Sequence, residues 1–181
     1  DNYSILRDSI LASGTKEFDK KNSKPIGVND EGNTVYDSVF IYKNTHFLEK
    51  NFDLSSESLT ATLLLTSNAV VEEAIADAKV RLQKWGLWDE WNAERQYNFE
   101  YTMRHWIMDA AFFDKKLTPE TLLSKDEEND MLTSIFSKYW KTSVQQINPT
   151  PIELSNGIAY QVTRLHIPNN VLIWRLKEDF S

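Results

Sequence analysis

Residues 59–82 constrain the fold most, because their periodicity changes from that of a strand to that of a helix within three residues. Residues 60–65 are small, β-branched or leucine, which is typical of a buried strand. Beyond residue 68, the apolar residues recur at helical spacing, at Val71, Ala74, Ile75, Ala78 and Leu82. Ser67 or Asn68 can accept a hydrogen bond from the first free N–H groups of a helix. We therefore expect a buried strand that leads directly into a helix beginning near Asn68.

The remaining periodic segments predict helices mainly in the first two thirds of the chain and strands near both ends. Further helices are predicted at residues 3–11, between Asp89 and Ala110, at 119–123 and at 131–140. Strands are predicted at residues 25–28, 34–42, 152–154, 158–162 and 171–176, with loops over most of 16–33 and a hairpin turn at Asn156-Gly157. This order is typical of an α+β fold, with helices packed against antiparallel β-sheets.

Composition excludes several classes of function. The 181 residues fit one domain, and no apolar run is long enough for a transmembrane segment. A net charge of −7 without a Lys/Arg cluster repels phosphate backbones, so nucleic acid is not expected as a partner. The absence of cysteine excludes disulfides and thiolate metal sites. The five glycines are isolated from one another, so no phosphate-binding or dinucleotide motif is present and no cofactor is expected.

Three segments, in this order, resemble the fasciclin-like domain family. Residues 62–71 match its apolar strand, cap and helix, and residues 103–118 its Tyr-His segment with the Leu-Thr that follows. Residues 156–168 resemble its closing motif, an Asn-Gly hairpin before an apolar strand that ends at proline. Thr66 replaces the usual proline, and Arg104 replaces the usual tyrosine. Because that tyrosine is missing, the integrin-type contact of animal members cannot be carried over.

The resemblance implies one fasciclin-like domain over residues 1–181, a wedge or sandwich with an extended hairpin-like insertion at about 16–57. This insertion resembles the variant common in Bacteroidota surface lipoproteins. The implied protein is extracellular, with a lipid anchor upstream of Asp1 that would hold it at the outer membrane. The implied function is non-enzymatic adhesion or binding, with a surface protein or a glycan as partner. The alternative from another class is a glycosidase-type hydrolase that uses two carboxylates.

Trp85, Trp88 and Trp91 are the candidate binding residues, because indole faces pack on the C–H faces of sugar rings. The alternative is that these indoles fill the core and its margins. A stacking surface requires at least two exposed indoles. Because Gly86 is expected to end the helix, we expect Trp85 to be buried and Trp88 or Trp91 to be partly exposed.

The histidines and the acidic run have no pattern of a catalytic or metal site. His46, His105 and His166 lie far apart, outside any H-x-x-x-H or H-E-x-x-H motif, and are expected to have structural roles. Residues 126–130 lack the glycine and terminal glutamate of a calcium loop, so a solvated charged segment is expected. We therefore predict no catalytic residues and no metal ligands.

Overall fold

The computed structural model describes residues 2–53, 56–123, 132–136 and 141–178, and it confirms the α+β class. The described residues form six α-helices: α1 (Ser4–Ala12), α2 (Thr45–Leu48), α3 (Asn68–Lys84), α4 (Ala93–Trp106), α5 (Pro119–Leu123) and α6 (Asn169–Glu178). The first strands are β1 (Thr15–Phe18), β2 (Lys24–Val28), β3 (Thr34–Asp37), β4 (Phe40–Lys43) and β5 (Ala61–Leu65). The later strands are β6 (Phe112–Phe113), β7 (Leu132–Thr133), β8 (Lys141–Thr142), β9 (Ile152–Leu154) and β10 (Gly157–Gln161).

The central sheet has four strands in the order β6-β5-β10-β9. β6 and β9 pair with their neighbours antiparallel, as expected. The two middle strands, β5 and β10, are instead parallel, in a register that runs from Ala61 opposite Gly157 to Leu65 opposite Gln161. A parallel pair needs a long crossover, and the helices α3 to α5 between these strands supply one.

The predicted strand-to-helix unit is confirmed. The helix α3 begins at Asn68, and the hydroxyl oxygen of Ser67 accepts a hydrogen bond from the Val70 N–H at 3.3 Å. All five predicted apolar residues of α3 are buried. The helix ends as expected at Gly86, whose φ of +72° suits the left-handed residue after a helix.

The strand β5 separates two hydrophobic clusters. Leu64 belongs to the larger cluster, which also contains the buried stripe of α3. Leu63 and Leu65 pack on the opposite side against a smaller cluster around Phe47 and Phe52. Because alternate residues of a strand point to opposite faces, this arrangement buries both sides of β5.

Residues 15–43 form an extended antiparallel structure, which we call the β-ribbon. β1 pairs with β4, and β2 pairs with β3 farther out. The predicted hairpin of β2 and β3 is thus confirmed, but residues 15–18 form a strand instead of a loop. The predicted strand at 34–42 is interrupted at Ser38 and Val39, where the Val39 N–H donates to the Ser23 hydroxyl at 2.9 Å. This bond holds the bulge at residues 19–23 against the second leg of the β-ribbon.

The root of the β-ribbon is anchored to the end of α1. The Tyr42 hydroxyl donates to the Ile10 carbonyl at 2.8 Å, and the Asn44 amide donates to the same carbonyl at 3.1 Å. A Cβ at Gly14 would lie 2.5 Å from the Tyr42 ring, so glycine is required for this close approach. Burial raises the pKa of Tyr42, with an opposing effect of the Gly14 backbone N–H.

Two predictions near the C-terminus are wrong. Residues 171–176, expected as a strand, lie in α6, where the Pro168 carbonyl accepts from the backbone N–H groups of Val171 and Leu172. A short apolar run fits either structure by periodicity alone. Within the predicted helix at 131–140, β7 pairs instead with β8, and residues 131 and 137–140 lie outside the described residues, as does the acidic run at 126–130.

The predicted hairpin between β9 and β10 is confirmed, but its glycine has a different role from the expected one. The turn lies at Ser155 and Asn156, while Gly157 is already the first residue of β10. A Cβ at Gly157 would lie 2.2 Å from the Ala61 carbonyl oxygen. Glycine is therefore required for the approach of β10 to β5.

The helices within the described residues are too short or too polar to cross a lipid bilayer.

Candidate binding site

The burial of the three tryptophans between α3 and α4 is the reverse of what the sequence predicts. Trp85 is 40% exposed, whereas Trp88 and Trp91 are only 7% and 9% exposed. The last residue of the buried stripe of α3 is Leu82, so Trp85 follows it as the helix cap and lies at the surface. The prediction of a buried Trp85 is therefore wrong, and the three indoles lack the two exposed faces that a stacking surface requires.

Trp88 and Trp91 form an aromatic cluster with Phe99 of α4. Their ring centroids lie 5.8 and 5.7 Å from that of Phe99. Cations cover both indoles, with the Lys79 ammonium 5.0 Å from the Trp88 ring and the Arg95 guanidinium 4.6 Å from the Trp91 ring. These contacts stabilise the corner between the two helices. Because both indoles are buried, neither offers an open face to a sugar ring.

The helix α4 places aromatic residues on two opposite faces. It begins later than the expected Asp89, since the Asn92 side chain accepts from the Arg95 N–H at 2.9 Å as its cap. Phe99 and Met103 are buried against the core. Tyr97, two residues before Phe99, lies about 200° around the helix and points to solvent. Tyr97 is 66% exposed and Tyr101 is 52% exposed.

Tyr97, Tyr101 and His105 follow one another at intervals of four residues, and we call them the aromatic ladder. The two tyrosine rings are nearly parallel, at 23°, with centroids 6.3 Å apart. The His105 ring lies 4.2 Å from that of Tyr101, and its Nδ1–H donates to the Tyr101 carbonyl at 2.8 Å. This hydrogen bond confirms a structural role for His105 and fixes the ring at the end of the ladder.

An open pocket of about 470 Å³ lies beside the aromatic ladder. Tyr101 lines it together with polar side chains from the first three turns of α4 and its cap. These are Asn92, Glu94, Arg95, Asn98 and Thr102. The pocket thus combines an aromatic ring with amide, carboxylate, guanidinium and hydroxyl groups, which can donate and accept several hydrogen bonds at once.

Ion pairs connect α4 to α3. The Arg104 guanidinium donates two hydrogen bonds to the Glu72 carboxylate, both of 2.9 Å. The hydrogen bonds to Glu72 raise the pKa of Arg104. Glu100 also contacts both Arg104, at 3.7 Å, and Lys79 of α3. Arg104 therefore connects α3 to the helix that carries the aromatic ladder.

A second pair of titratable groups connects α2 to the turn at Ile107–Ala110. The His46 Nε2 lies 3.1 Å from the Asp109 Oδ1, and the His46 ring stacks on Phe136 at 4.3 Å. Burial raises the pKa of Asp109, while the hydrogen bond with His46 opposes this rise. Burial also lowers the pKa of His166, which lies near the surface of α3. Across the described ranges, no three His, Asp or Glu side chains converge as a metal site requires.

Two pockets within the described residues each present one carboxylate, and neither has the pair expected of the hydrolase alternative. The pocket beside the aromatic ladder has one carboxylate, Glu94. A pocket of about 570 Å³ at the root of the β-ribbon also has one, Asp53, above a floor of Phe47 and Phe52. General acid and base catalysis on a glycoside needs two facing carboxyl groups roughly 5 to 10 Å apart.

Sequence reasoning missed the aromatic ladder, although a signal was present. Tyr97, Tyr101 and His105 share one helical face by their spacing, and Phe99 and Met103 share the opposite face. An aromatic stripe and an apolar stripe on opposite faces cannot both lie in the core of a surface helix.

Comparison with models of known families, with curated proteins and with solved structures found no match. The fasciclin resemblance stays a prediction.

Proposed function

We propose that the protein is a non-enzymatic binding module that recognises a neutral glycan on the outer face of α4. The observation that carries the proposal is the solvent-exposed aromatic ladder with a polar pocket directly beside it. Tyr97 and Tyr101 replace Trp88 and Trp91 as the stacking residues, because the latter are buried.

The chemistry of the two surfaces matches the two kinds of group on a sugar. A pyranose ring presents C–H groups on its faces, and exposed tyrosine rings provide apolar surface on which these groups can pack. Its hydroxyls lie at the edge of the ring, where amide and hydroxyl side chains such as Asn98 and Thr102 can bind them. The net charge of −7 disfavours sulfated and uronate-rich glycans, so the proposed ligand is neutral.

The setting of this function is part of the same proposal. The fasciclin resemblance supports an adhesion or glycan-uptake role at a cell surface, with an extracellular domain and a lipid anchor upstream of Asp1. The rigid attachment of α4 through Arg104 and Glu72 also suits a binding surface that is ready before its ligand arrives.

A glycan array on the purified protein, followed by titration of the best neutral oligosaccharide, tests the proposal. The double variant Tyr97→Ala, Tyr101→Ala should weaken binding at least about tenfold, because it removes both exposed rings. The double variant Tyr97→Phe, Tyr101→Phe keeps the rings and should bind nearly as the wild type does. Trp85→Ala removes an exposed aromatic outside the ladder and serves as the matched control.

Equal losses in the alanine and phenylalanine double variants would contradict ring stacking. Equal affinity in the wild type and the alanine double variant would remove the aromatic ladder from the site. Both tyrosines are exposed and alanine is the best helix former, so these variants should retain their fold by circular dichroism.

A further inference from the structure

The β-ribbon contains the largest group of exposed apolar side chains among the described residues. Eight of the 18 exposed large apolar residues lie within residues 15–43. Every residue of β1, β2 and β4 is exposed, and in β3 only Tyr36 is partly buried. An isolated two-stranded ribbon is marginally stable in water, so such a surface favours a partner that covers it.

The pairing register gives the β-ribbon two different faces. Phe18 lies opposite Phe40, and the Phe18 ring also contacts the Tyr36 ring at 5.4 Å. Val28 lies opposite Thr34 and therefore shares the face of Tyr36. We call the side with Phe18, Tyr36, Phe40 and Val28 the aromatic face.

The other face of the β-ribbon carries both charged and apolar side chains. Glu17 and Lys43 form an ion pair of 2.8 Å across it, and Lys24 lies opposite Asp37 farther out. Ile41 and Val35 also lie on this face. Covering it would remove charged groups from water together with these two side chains, so the aromatic face is the side that gains most from being covered.

We propose that the aromatic face binds the aromatic face of a second copy of this chain. Charge favours this occupant. Residues 15–43 contain five Lys and five Asp or Glu, so the β-ribbon has no net charge and the whole −7 belongs to the rest of the chain. Two copies therefore repel each other through their bodies and can approach through their ribbons.

The charge pattern of the β-ribbon is also complementary to that of a second ribbon lying antiparallel to it. The bulge carries Lys20 and Lys21, and the tip carries Asp30 and Glu31. A twofold axis near Tyr36 places the basic bulge of each ribbon against the acidic tip of the other. The same axis places Tyr36 of one copy near Tyr36 of the second copy.

The available area predicts a weak and reversible dimer. The second leg of the β-ribbon, residues 34–43, is about 33 Å long, and two strands are about 10 Å wide. Each copy can therefore bury on the order of 300 Å², well below the roughly 800 Å² per partner of a stable complex. We expect a dissociation constant between about 10 μM and 1 mM.

Sedimentation equilibrium of the whole chain, from about 10 μM to 1 mM at low salt, tests the proposal. The average mass should rise toward twice that of the monomer. Phe40→Lys should raise the dissociation constant at least about tenfold, since it places a charge in the aromatic face. Val80→Lys adds the same charge at an exposed apolar site of α3 and should leave association unchanged. A monomeric mass over the whole range, or equal effects of the two variants, would overturn the proposal.

A charge exchange separates self-association from the binding of any other partner. The double variants Lys20→Glu, Lys21→Glu and Asp30→Lys, Glu31→Lys should each associate more weakly than the wild type, because bulge and tip then repel. An equimolar mixture of the two restores both attractions, so mixed dimers should form. If each variant alone associates as strongly as the mixture does, the twofold arrangement is wrong. Because the aromatic ladder is unchanged in these variants, glycan binding is measured on the same samples, and its loss or retention tests the proposed function separately.

Discussion

The strands of the β-ribbon and the two middle strands of the central sheet, β5 and β10, have four or five residues each but bury them in opposite ways. In β10, four of five residues are buried, and β5 has a hydrophobic cluster on each side. In β1, β2 and β4 every residue is exposed. Their sequences differ in charge, because the strands of the β-ribbon contain five Lys, Asp or Glu residues, whereas β5 and β10 contain none.

The difference shows that strands of similar length can obtain their stability from different sources. Burial stabilises the central sheet. The β-ribbon depends instead on its cross-strand bonds and on the anchor at its root, where Tyr42 and Asn44 bind the end of α1. Substitutions should therefore be costly in β5 and β10 but, in the β-ribbon, only near the root.

The largest contrast is expected between a phenylalanine of the smaller cluster and a phenylalanine of the β-ribbon. Phe47 is fully buried in the smaller cluster, whereas Phe40 of the β-ribbon is 59% exposed. Phe47→Ala should lower the free energy of unfolding by about 3–5 kcal/mol, and Phe40→Ala by less than about 1 kcal/mol. Urea denaturation measures both, and equal losses would show that the β-ribbon belongs to the core.

Two glycines provide the next contrast. A Cβ at Gly157 would lie 2.2 Å from the Ala61 carbonyl oxygen, while a Cβ at Gly27 would meet nothing within 4 Å. Gly157→Ala should therefore cost about 1–3 kcal/mol or more, because β10 must move away from β5. Gly27→Ala should change stability by less than about 0.5 kcal/mol. If both variants unfold at the same urea concentration, the close packing of β5 and β10 is wrong.

The anchor of the β-ribbon should respond to the loss of one hydroxyl. Tyr42→Phe removes the hydrogen bond to the Ile10 carbonyl, at a cost of about 1 kcal/mol. Amide hydrogen exchange should then become faster within residues 15–43 and remain unchanged in α3. Tyr97→Phe, at an exposed site, is the control. Uniformly faster exchange would mean that the two regions unfold as one.

The smallest effect concerns pH at the contact between α2 and the body. Burial raises the pKa of Asp109 above its ordinary value of 3.8, despite the opposing His46 and Lys50. The folded state therefore binds the proton of Asp109 more tightly than the unfolded state does. This difference adds to the free energy of unfolding below pH 3.8, and the added stability is lost as the pH rises through the folded pKa. The stability of the wild type relative to Asp109→Asn should thus decrease as the pH rises above 3.8. A constant difference would contradict the raised pKa.

Sequence reasoning was most successful where local signals agreed with one another. The strand, cap and helix around Asn68 were predicted correctly, because the periodicity, the capping Ser67 and the terminal Gly86 all indicate the same element. The helix α5 was predicted from its Thr118-Pro119-Glu120 signal for the same reason.

Predictions failed where the outcome depends on distant contacts. The segment at residues 171–176 has the composition of a strand, but it forms α6 and buries Val171 and Leu172 against the larger cluster. The exposure of Trp85 depends on where α3 stops, and the burial of Trp88 depends on Phe99 of the next helix. The parallel pairing of β5 and β10 has no local signal at all.

That parallel pairing also determines the order in which the chain can assemble. Ala61 and Gly157 are separated by 96 residues, so the middle of the central sheet cannot form until most of the chain has been synthesised. Contacts within the β-ribbon join residues at most 28 positions apart, as between Thr15 and Lys43. Nascent chains can therefore pair the strands of the β-ribbon before those of the central sheet, because local contacts form sooner than distant ones. During synthesis on a ribosome, neighbouring copies would first meet through the exposed surface of the β-ribbon. Because the β-ribbon has no net charge, electrostatic repulsion would not oppose premature association at that stage.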